Sequence, residues 1–319
     1  MTRVAAVDCG TNSIRLLISD ISEKGKIKDI SRTMEIVRLG EGVDATGEIS
    51  EAALARTHAA LEDYVGQMRF EGVTRVRMVA TSATRDAKNQ QQFFNMTAEL
   101  LGQIQPGARA EVISGEEEAN LSFKGAVSDL TEEKSPYCVI DLGGGSTEFI
   151  VGTSDGDILG AYSAQMGCVR LTERILRTDP PTETEIEIAQ DYVADRMEEV
   201  EKIVPVSKAK TFVGCAGTFT TLSALAQGLE RYDADAIHGT QLRFDALRVL
   251  IRELAKSPAD VRALNPVIHP GRADVIGGGS IAVEGIMNLV ERNSKADSFI
   301  ISEKDILDGI IAGLAAEMR

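Results

Sequence analysis

The sequence predicts an α/β protein built from two similar halves, and three observations carry that prediction. Tyr137–Gly152, YCVIDLGGGSTEFIVG, leads an apolar run into Asp141, three glycines and Ser146, then an alternating run that carries Glu148. This reads as strand, tight glycine turn, strand. Val4–Asp20, VAAVDCGTNSIRLLISD, repeats the pattern at a constant offset. Asp8 meets Asp141, Gly10 meets Gly143, Ser13 meets Ser146, and Arg15 meets Glu148. Such an internal repeat implies two half-domains facing each other across a cleft. The 319 residues are long enough for two domains of ordinary size.

The elements follow in order. Residues 3–8 and 14–20 form the first hairpin, and Lys26–Leu39 adds a strand. The glycine-rich stretch GEGVDATGEIS ends at Ser50, a good N-cap for a helix over 51–70. Arg75–Thr81 is a strand, with the hydroxyls of TSATR and Arg85 at its carboxyl end. A helix over 89–102 and a short strand at Ala110–Ile113 precede a helix that opens at Ser114–Gly115 and carries Glu116, Glu117 and Glu118. The central hairpin opens the second half, with a third strand at Ile158–Ser163. Gly167–Arg177 reads as turn plus helix, with Arg170 reaching either the cleft or, in preference, the surface. Pro180–Pro181 breaks the chain, and Thr182 caps an acidic helix to Ile203. Thr211–Thr221 is strand, glycine turn, helix. Pro270–Glu284 packs three glycines into a helix start, at a cost of roughly 1 kcal/mol each unless close backbone approach offsets it. Asp297–Ser302 is the last strand and Lys304–Met318 the last helix.

The two turns carry the chemistry. Glycine lets a ligand approach main-chain N–H groups, and those groups suit phosphate. Two carboxylates suit a hard cation such as Mg²⁺. Side chains alternate along a strand, so Arg15 and Glu148 each share a face with the serine two residues before. One half then offers a cation for phosphate and the other a carboxylate for metal. GCAGT, with Gly217 and Thr218, either binds a phosphate or nucleoside at a helix N-terminus or only packs helix on strand. Arg272 is a further candidate phosphate contact.

Four motifs in order, Asp8–Ser13 (D-x-G-T-N-S), TSATR at 81–85, ISGEEEA at 113–119 and DLGGGSTE at 141–148, resemble the exopolyphosphatase/guanosine pentaphosphate phosphatase (Ppx/GppA) family. The resemblance implies two actin-like (ribonuclease H-like) α/β domains of the sugar kinase, heat-shock ATPase and actin superfold, with an interdomain cleft. The domains would be 1–125, joined by the C-terminal helix 303–319, and 126–302. It resembles in particular the short, two-domain actinobacterial branch, for which short polyphosphates are the expected substrates. It implies Glu118, the second Glu of the E-E-A step, as catalytic base, with Glu117 the residue most easily confused with it. The site expected with it has Asp141, Glu148 and Asp8 at the metal, Mg²⁺ or Mn²⁺. Thr11, Asn12, Ser13, Arg15, Arg85, Gly143, Gly144, Gly145 and Ser146 would bind phosphate. The expected reaction is in-line attack of water on the terminal phosphorus of inorganic polyphosphate. Guanosine pentaphosphate is the alternative substrate, and guanosine penta- or tetraphosphate a candidate inhibitor. A homodimer is expected. An actin-like ATPase or sugar kinase, and a polyphosphate or alarmone sensor without turnover, are the competing classes, and the intact set Glu118, Asp141 and Glu148 speaks against the sensor.

A net charge of −15 argues against a broad nucleic-acid-binding face. A polyanionic substrate then needs local charge, and salt screens surface carboxylates beyond about 8–10 Å. Neither a leader peptide nor a membrane-spanning apolar run is visible, so the expectation is a cytoplasmic protein away from membranes. Cys9, Cys138, Cys168 and Cys215 form no CxxC pair and read as buried inert thiols. His58, His238 and His269 have no metal-spaced partner and read as ordinary structural histidines.

Overall fold

The computed structural model describes residues 1–318. It separates into two compact units, Met1–Gly125 together with the C-terminal segment from Ile306, and Ala126–Asp305. In the first, β1 (Thr2–Cys9), β2 (Ser13–Ile21), β3 (Ile27–Ile36), β4 (Arg75–Ala80) and β5 (Ala110–Val112) lie in the order β3-β2-β1-β4-β5. The first three strands form an antiparallel meander, and β4 and β5 run parallel to β1. β1 is central and covered on both faces, which is why it reads as a continuous apolar run rather than an alternating one. Ala5, Val7 and Cys9 face the core shared with the helices Glu51–Glu71 and Gln90–Leu101. Val4 and Ala6 face the other core, shared with Leu121 and the helix Ile306–Glu317.

The second unit repeats this plan. β6 (Tyr137–Leu142), β7 (Thr147–Gly152) and β8 (Ile158–Ala164) are the meander, and β9 (Thr211–Cys215) and β11 (Ser298–Ile301) extend the sheet in parallel. β10 (Gln241–Arg243) adds an antiparallel edge, giving the order β10-β11-β9-β6-β7-β8. Among the described residues, no helix is long and apolar enough to cross a membrane.

Local signals hold where they are chemical. Ser50 caps Glu51–Glu71, its hydroxyl accepting from the Ala53 N–H at 3.2 Å, and Gly72 closes that helix in the left-handed region at φ 71°. Thr182 caps Glu183–Ile203 in a reciprocal capping box with Glu185. TSATR, placed from sequence only as following the strand, winds into a short helix at Ser82–Asp86 straight off β4. No element is expected from sequence between 228 and 268, yet a helix runs over Phe244–Lys256. Its Phe244, Leu247, Ile251 and Leu254 form a buried stripe at helical spacing. The three glycines of 277–279 lie in the first turn of the helix Ile276–Asn293. A Cβ there would come within 2.9 Å of the Arg262 guanidinium, 2.8 Å of the Thr172 hydroxyl and 2.7 Å of the Thr218 hydroxyl, so close packing does offset the missing side chains. The four cysteines are buried free thiols, and burial pushes Cys138 up to about 12.

Two predictions follow from this packing. A Cβ at Gly309 would sit 2.1 Å from the Leu121 carbonyl oxygen, so Gly309→Ala should lower stability by ~1–3 kcal/mol in urea unfolding. The Thr178 hydroxyl, then the Thr182 N–H, hold Glu185 down at about 2 against an ordinary 4.5. A depressed folded-state pKa means this cap contributes fully above pH 4.5 and is lost as pH falls through about 2. Carboxyl NMR should show Glu185 protonating last among the glutamates of that helix as pH falls, and Thr178→Ala should move it back toward the ordinary range.

Candidate active site

In each unit the motif residues gather at the carboxyl ends of the parallel strands, where α/β sheets bind ligands. The ends are laced together by single bonds. Thr81 N–H donates to Cys9 O at 3.2 Å and Ile113 N–H to Ala80 O at 3.1 Å. In the second unit Ser302 N–H donates to Gly214 O at 2.9 Å.

The two glycine turns close identically. Gly10 N–H donates to Ser13 O at 2.9 Å, and Gly143 N–H to Ser146 O at 3.0 Å. The turn carbonyls point back into the protein. Asn12 O accepts from Val37 and Arg38, and Thr11 O from Gly40. Gly143 O accepts from Cys168, and Gly144 O from Val169 and Arg170. With the carbonyls turned inward, the amides are left over. Among the described residues, the N–H groups of Thr11 and Asn12, and of Gly144, Gly145 and Ser146, donate to no protein acceptor. The buried Asn12 Nδ2 is likewise unpartnered. Unsatisfied donors of this kind call for an acceptor-rich ligand, and phosphate is one.

The strand register fixes what flanks each turn. Asp8 stands directly opposite Arg15, and Asp141 directly opposite Glu148. The Arg15 Nη2 meets Asp8 Oδ2 at 2.6 Å, so this expected metal ligand is bound to the expected phosphate ligand. Asp141 and Glu148 place two carboxylates side by side, Glu148 only 1% exposed. The Ser163 hydroxyl donates to Glu148 Oε1 at 2.7 Å. Among the described residues no group of three or more His, Cys, Asp or Glu is placed to hold a metal. A carboxylate pair of this kind would fit a divalent ion such as Mg²⁺, which is commonly held by one or two carboxylates with the rest of its shell from water and substrate phosphate.

Glu118 and Glu117 part company. Glu118 is 8% exposed and its Oε2 accepts from Arg85 Nη1 at 2.8 Å. Arg85 Nη1 also donates to Ile113 O at 2.9 Å, while its Nε and Nη2 find no protein acceptor among the described residues. Arg85 thus anchors Glu118 and keeps donors for an anion. Glu117 lies outward, its side chain 45% exposed and paired with Arg77 at 2.7 Å.

The remaining candidates resolve differently. Arg170, expected at the surface, lies against the second turn and donates from Nε to Gly145 O at 2.7 Å. Its helix starts at Cys168, whose amide binds Gly143 O, and this draws the side chain inward. The space above Gly217 is taken by the Arg272 guanidinium, 1.9 Å from where a Cβ would stand. Thr218 is buried against Gly279. Packing accounts for both of these. The preceding Ala216 sits at φ 68°, a strained strand-to-helix junction. His238 binds Asp129 at 3.2 Å and accepts from the Glu303 N–H, a structural role. Sequence reasoning missed Ser163, Gly40 and Gly167. A Cβ at Gly40 would lie 2.3 Å from the Thr11 methyl, and one at Gly167 would lie 2.3 Å from Gly144 O. Both glycines therefore back one of the two glycine turns, Gly40 from the glycine-rich stretch GEGVDATGEIS and Gly167 from the turn that opens its helix.

The similarity of the chain to known proteins agrees with this site. Residues 17–316 match the model of the Ppx/GppA phosphatase family. The chain is 51% identical over 319 residues to the exopolyphosphatase 2 of Mycobacterium tuberculosis, covering 99% of each chain. It is 29% identical over 71% of its length, and 44% of the relative's, to a guanosine-5'-triphosphate,3'-diphosphate pyrophosphatase of Photobacterium profundum. Among solved structures, an exopolyphosphatase-like protein superposes with a TM-score of 0.92 at 37% identity, each chain fully covered. The Aquifex aeolicus Ppx/GppA protein superposes at 0.79 with 29% identity, over 99% of this chain and 98% of that one. A nucleoside triphosphate hydrolase of Neospora caninum, at 11% identity and a TM-score of 0.53 over 98% of this chain and 92% of that one, shares the fold. With its repeated hairpin, its paired glycine turns and a family match that spans nearly the whole sequence, this chain belongs to the Ppx/GppA phosphatase family.

Proposed function

We propose that this protein is an exopolyphosphatase, hydrolysing the terminal phosphate of inorganic polyphosphate. The observation that carries the proposal is the pair of turns whose amides, with Asn12 Nδ2, face no protein acceptor. A polyphosphate is rich in oxygen acceptors, and the amides of each turn suit them. Similarity to the M. tuberculosis exopolyphosphatase over the full length supports the same substrate.

Phosphoryl transfer asks mainly for positioning and charge neutralisation. In this reading Glu118 orients the attacking water and accepts its proton. Arg85 holds that carboxylate in place and directs its Nε and Nη2 donors to phosphate oxygens. The amides of 11–12 and 144–146 cradle phosphates, with the hydroxyls of Thr11, Ser13 and Ser146 and the Asn12 amide beside them. Arg15 lends positive charge, tempered by its bond to Asp8. Asp141 and Glu148 hold Mg²⁺, and Mn²⁺ can take its place. Bound there, a divalent cation supplies the neutralisation of phosphate charge that the carboxylates alone would oppose. At ~5 Å and an effective dielectric of about 20, two like unit charges repel by ~3 kcal/mol, so the pair is poised for a cation. Local groups outweigh the overall negative charge because that charge is screened within about 10 Å.

A second reading is hydrolysis of the 5′-terminal phosphate of guanosine pentaphosphate, favoured by the similarity to the P. profundum pyrophosphatase. Orthophosphate release from short polyphosphate, long polyphosphate, guanosine pentaphosphate and ATP, side by side with Mg²⁺, separates the two readings. Release mainly from polyphosphate is expected; release mainly from the guanosine compound moves the assignment.

Two further outcomes are expected. Glu118→Gln should lower kcat by about 10²–10⁴-fold with the fold intact by circular dichroism, while Glu117→Gln should stay within a few-fold of wild type. Near-normal turnover of Glu118→Gln would remove it from its role. EDTA should abolish phosphate release, and added Mg²⁺ should restore it.

A further inference from the structure

The second glycine turn is held from behind by one short helix, Cys168–Arg174. Three consecutive carbonyls of the turn are taken up there. Gly143 O accepts from the Cys168 N–H at 3.1 Å, and Gly144 O from Val169 and Arg170 at 2.9 and 3.0 Å. Gly145 O accepts from a side chain instead, Arg170 Nε at 2.7 Å, and among the described residues no main-chain amide reaches it. A trans peptide is planar, so its C=O and the next residue's N–H point in opposite directions. Each carbonyl drawn toward the helix therefore turns the following amide away from it. Fixing Gly143 O and Gly144 O aims the Gly144 and Gly145 N–H groups, and any residue but proline at 168–170 can supply those bonds. Fixing Gly145 O aims the Ser146 N–H, and that peptide plane is set by one side chain. The first turn does the same with main chain alone. Asn12, the counterpart of Gly145, gives its carbonyl to the amides of Val37 at 3.1 Å and Arg38 at 2.9 Å. Gly145 also lacks the Cβ that narrows the backbone choices of Asn12, so its plane is the freer of the two to turn.

We propose that Arg170 is a positioning residue: its Nε–H holds the Gly145 carbonyl inward, so that the Ser146 amide is presented to a phosphate oxygen beside those of Gly144 and Gly145. This rests on the reading of the turn as a phosphate cradle and adds the side chain that completes it. The backbone beneath Arg170 is itself fixed. Cys168, Val169 and Leu171 are buried, and the Thr172 hydroxyl donates to Cys168 O at 2.7 Å. The side chain therefore reaches back to the turn from a firm base. Donors aimed in advance need no reorganisation when the anion arrives, so a Ser146 amide left free to turn would bind phosphate less well. Arginine stays protonated at any working pH, so this hold on the turn does not titrate. Arg170 interacts elsewhere too, so its charge and its Nε donor must be tested apart.

Substitution separates the donor from the charge. Glutamine carries an N–H the same number of bonds from Cα as arginine Nε, without the charge. Methionine puts a methyl at that point, and lysine keeps the charge with a methylene there. The test follows the Gly144, Gly145 and Ser146 amides of the full chain by NMR while orthophosphate is added with Mg²⁺, and measures kcat and KM on short polyphosphate. In wild type each of these amides should shift downfield. In Arg170→Met and Arg170→Lys the Ser146 shift should be lost while Gly144 and Gly145 still respond. Their kcat/KM should fall about 10–100-fold, less than the ~10²–10³-fold for deleting such a donor outright. Arg170→Gln should restore the Ser146 shift and most of the activity. A Ser146 shift kept in Arg170→Met, activity kept by Arg170→Lys, or an Arg170→Gln no better than Arg170→Met overturns the proposal. Failure of the underlying reading looks different: none of these amides responds in wild type, and the proposal falls with it. Should Arg170→Met fail to fold, Arg170→Lys against Arg170→Gln decides by the same readings.

Discussion

Each functional turn depends on one hydrogen bond, from the first glycine amide to the serine carbonyl three residues on, at Gly10–Ser13 and again at Gly143–Ser146. That bond sets the hairpin register, and a slip of one residue would send every side chain to the opposite face. The register in turn opposes Asp8 to Arg15 and Asp141 to Glu148. It also leaves the turn carbonyls to be taken up by the segments behind, at 37–40 and 168–170, so that the amides face outward. The donors proposed for phosphate are therefore set by main-chain geometry, and the side chains flanking each turn differ in charge.

The two units show how one scaffold supports two local electrostatic solutions. In the first, both carboxylates of interest, Asp8 and Glu118, lie against guanidinium groups. In the second, Asp141 and Glu148 stand opposite each other in the strand register, and the Ser163 hydroxyl donates to Glu148. Burial raises the stakes in both cases, since water screens little of either interaction. The large negative charge of the whole chain has small influence on this scale.

The legible part of the protein was the part whose function is carried by consecutive residues. DLGGGSTE and DCGTNS announce strand, turn and strand because glycine, serine and alternating apolar residues must occur in that order. Ser50 and Thr182 were readable as caps for the same reason, each acting on an amide three residues away. Ser163, Gly40 and Gly167 were not readable. Their roles arise only when a third strand or a following segment docks on the turn, and nothing in their neighbours encodes that contact. Arg170 shows the same limit: an arginine in a short helix looks solvated until the helix start is seen to bind the turn carbonyls. The helix Phe244–Lys256 is the opposite case, a periodic apolar stripe that was present in the sequence and went unassigned.

The first unit is discontinuous in sequence, and this bears on how the protein is made. One face of β1, with Val4 and Ala6, is covered by the helix Ile306–Glu317. During synthesis Leu121 and Ile113 can cover that face only in part until the helix 306–317 has been made, whereas the second unit is complete once Asp305 has emerged. The earliest-made half of the molecule is thus the last to close its core, and the apolar face it exposes meanwhile is a natural client for a chaperone.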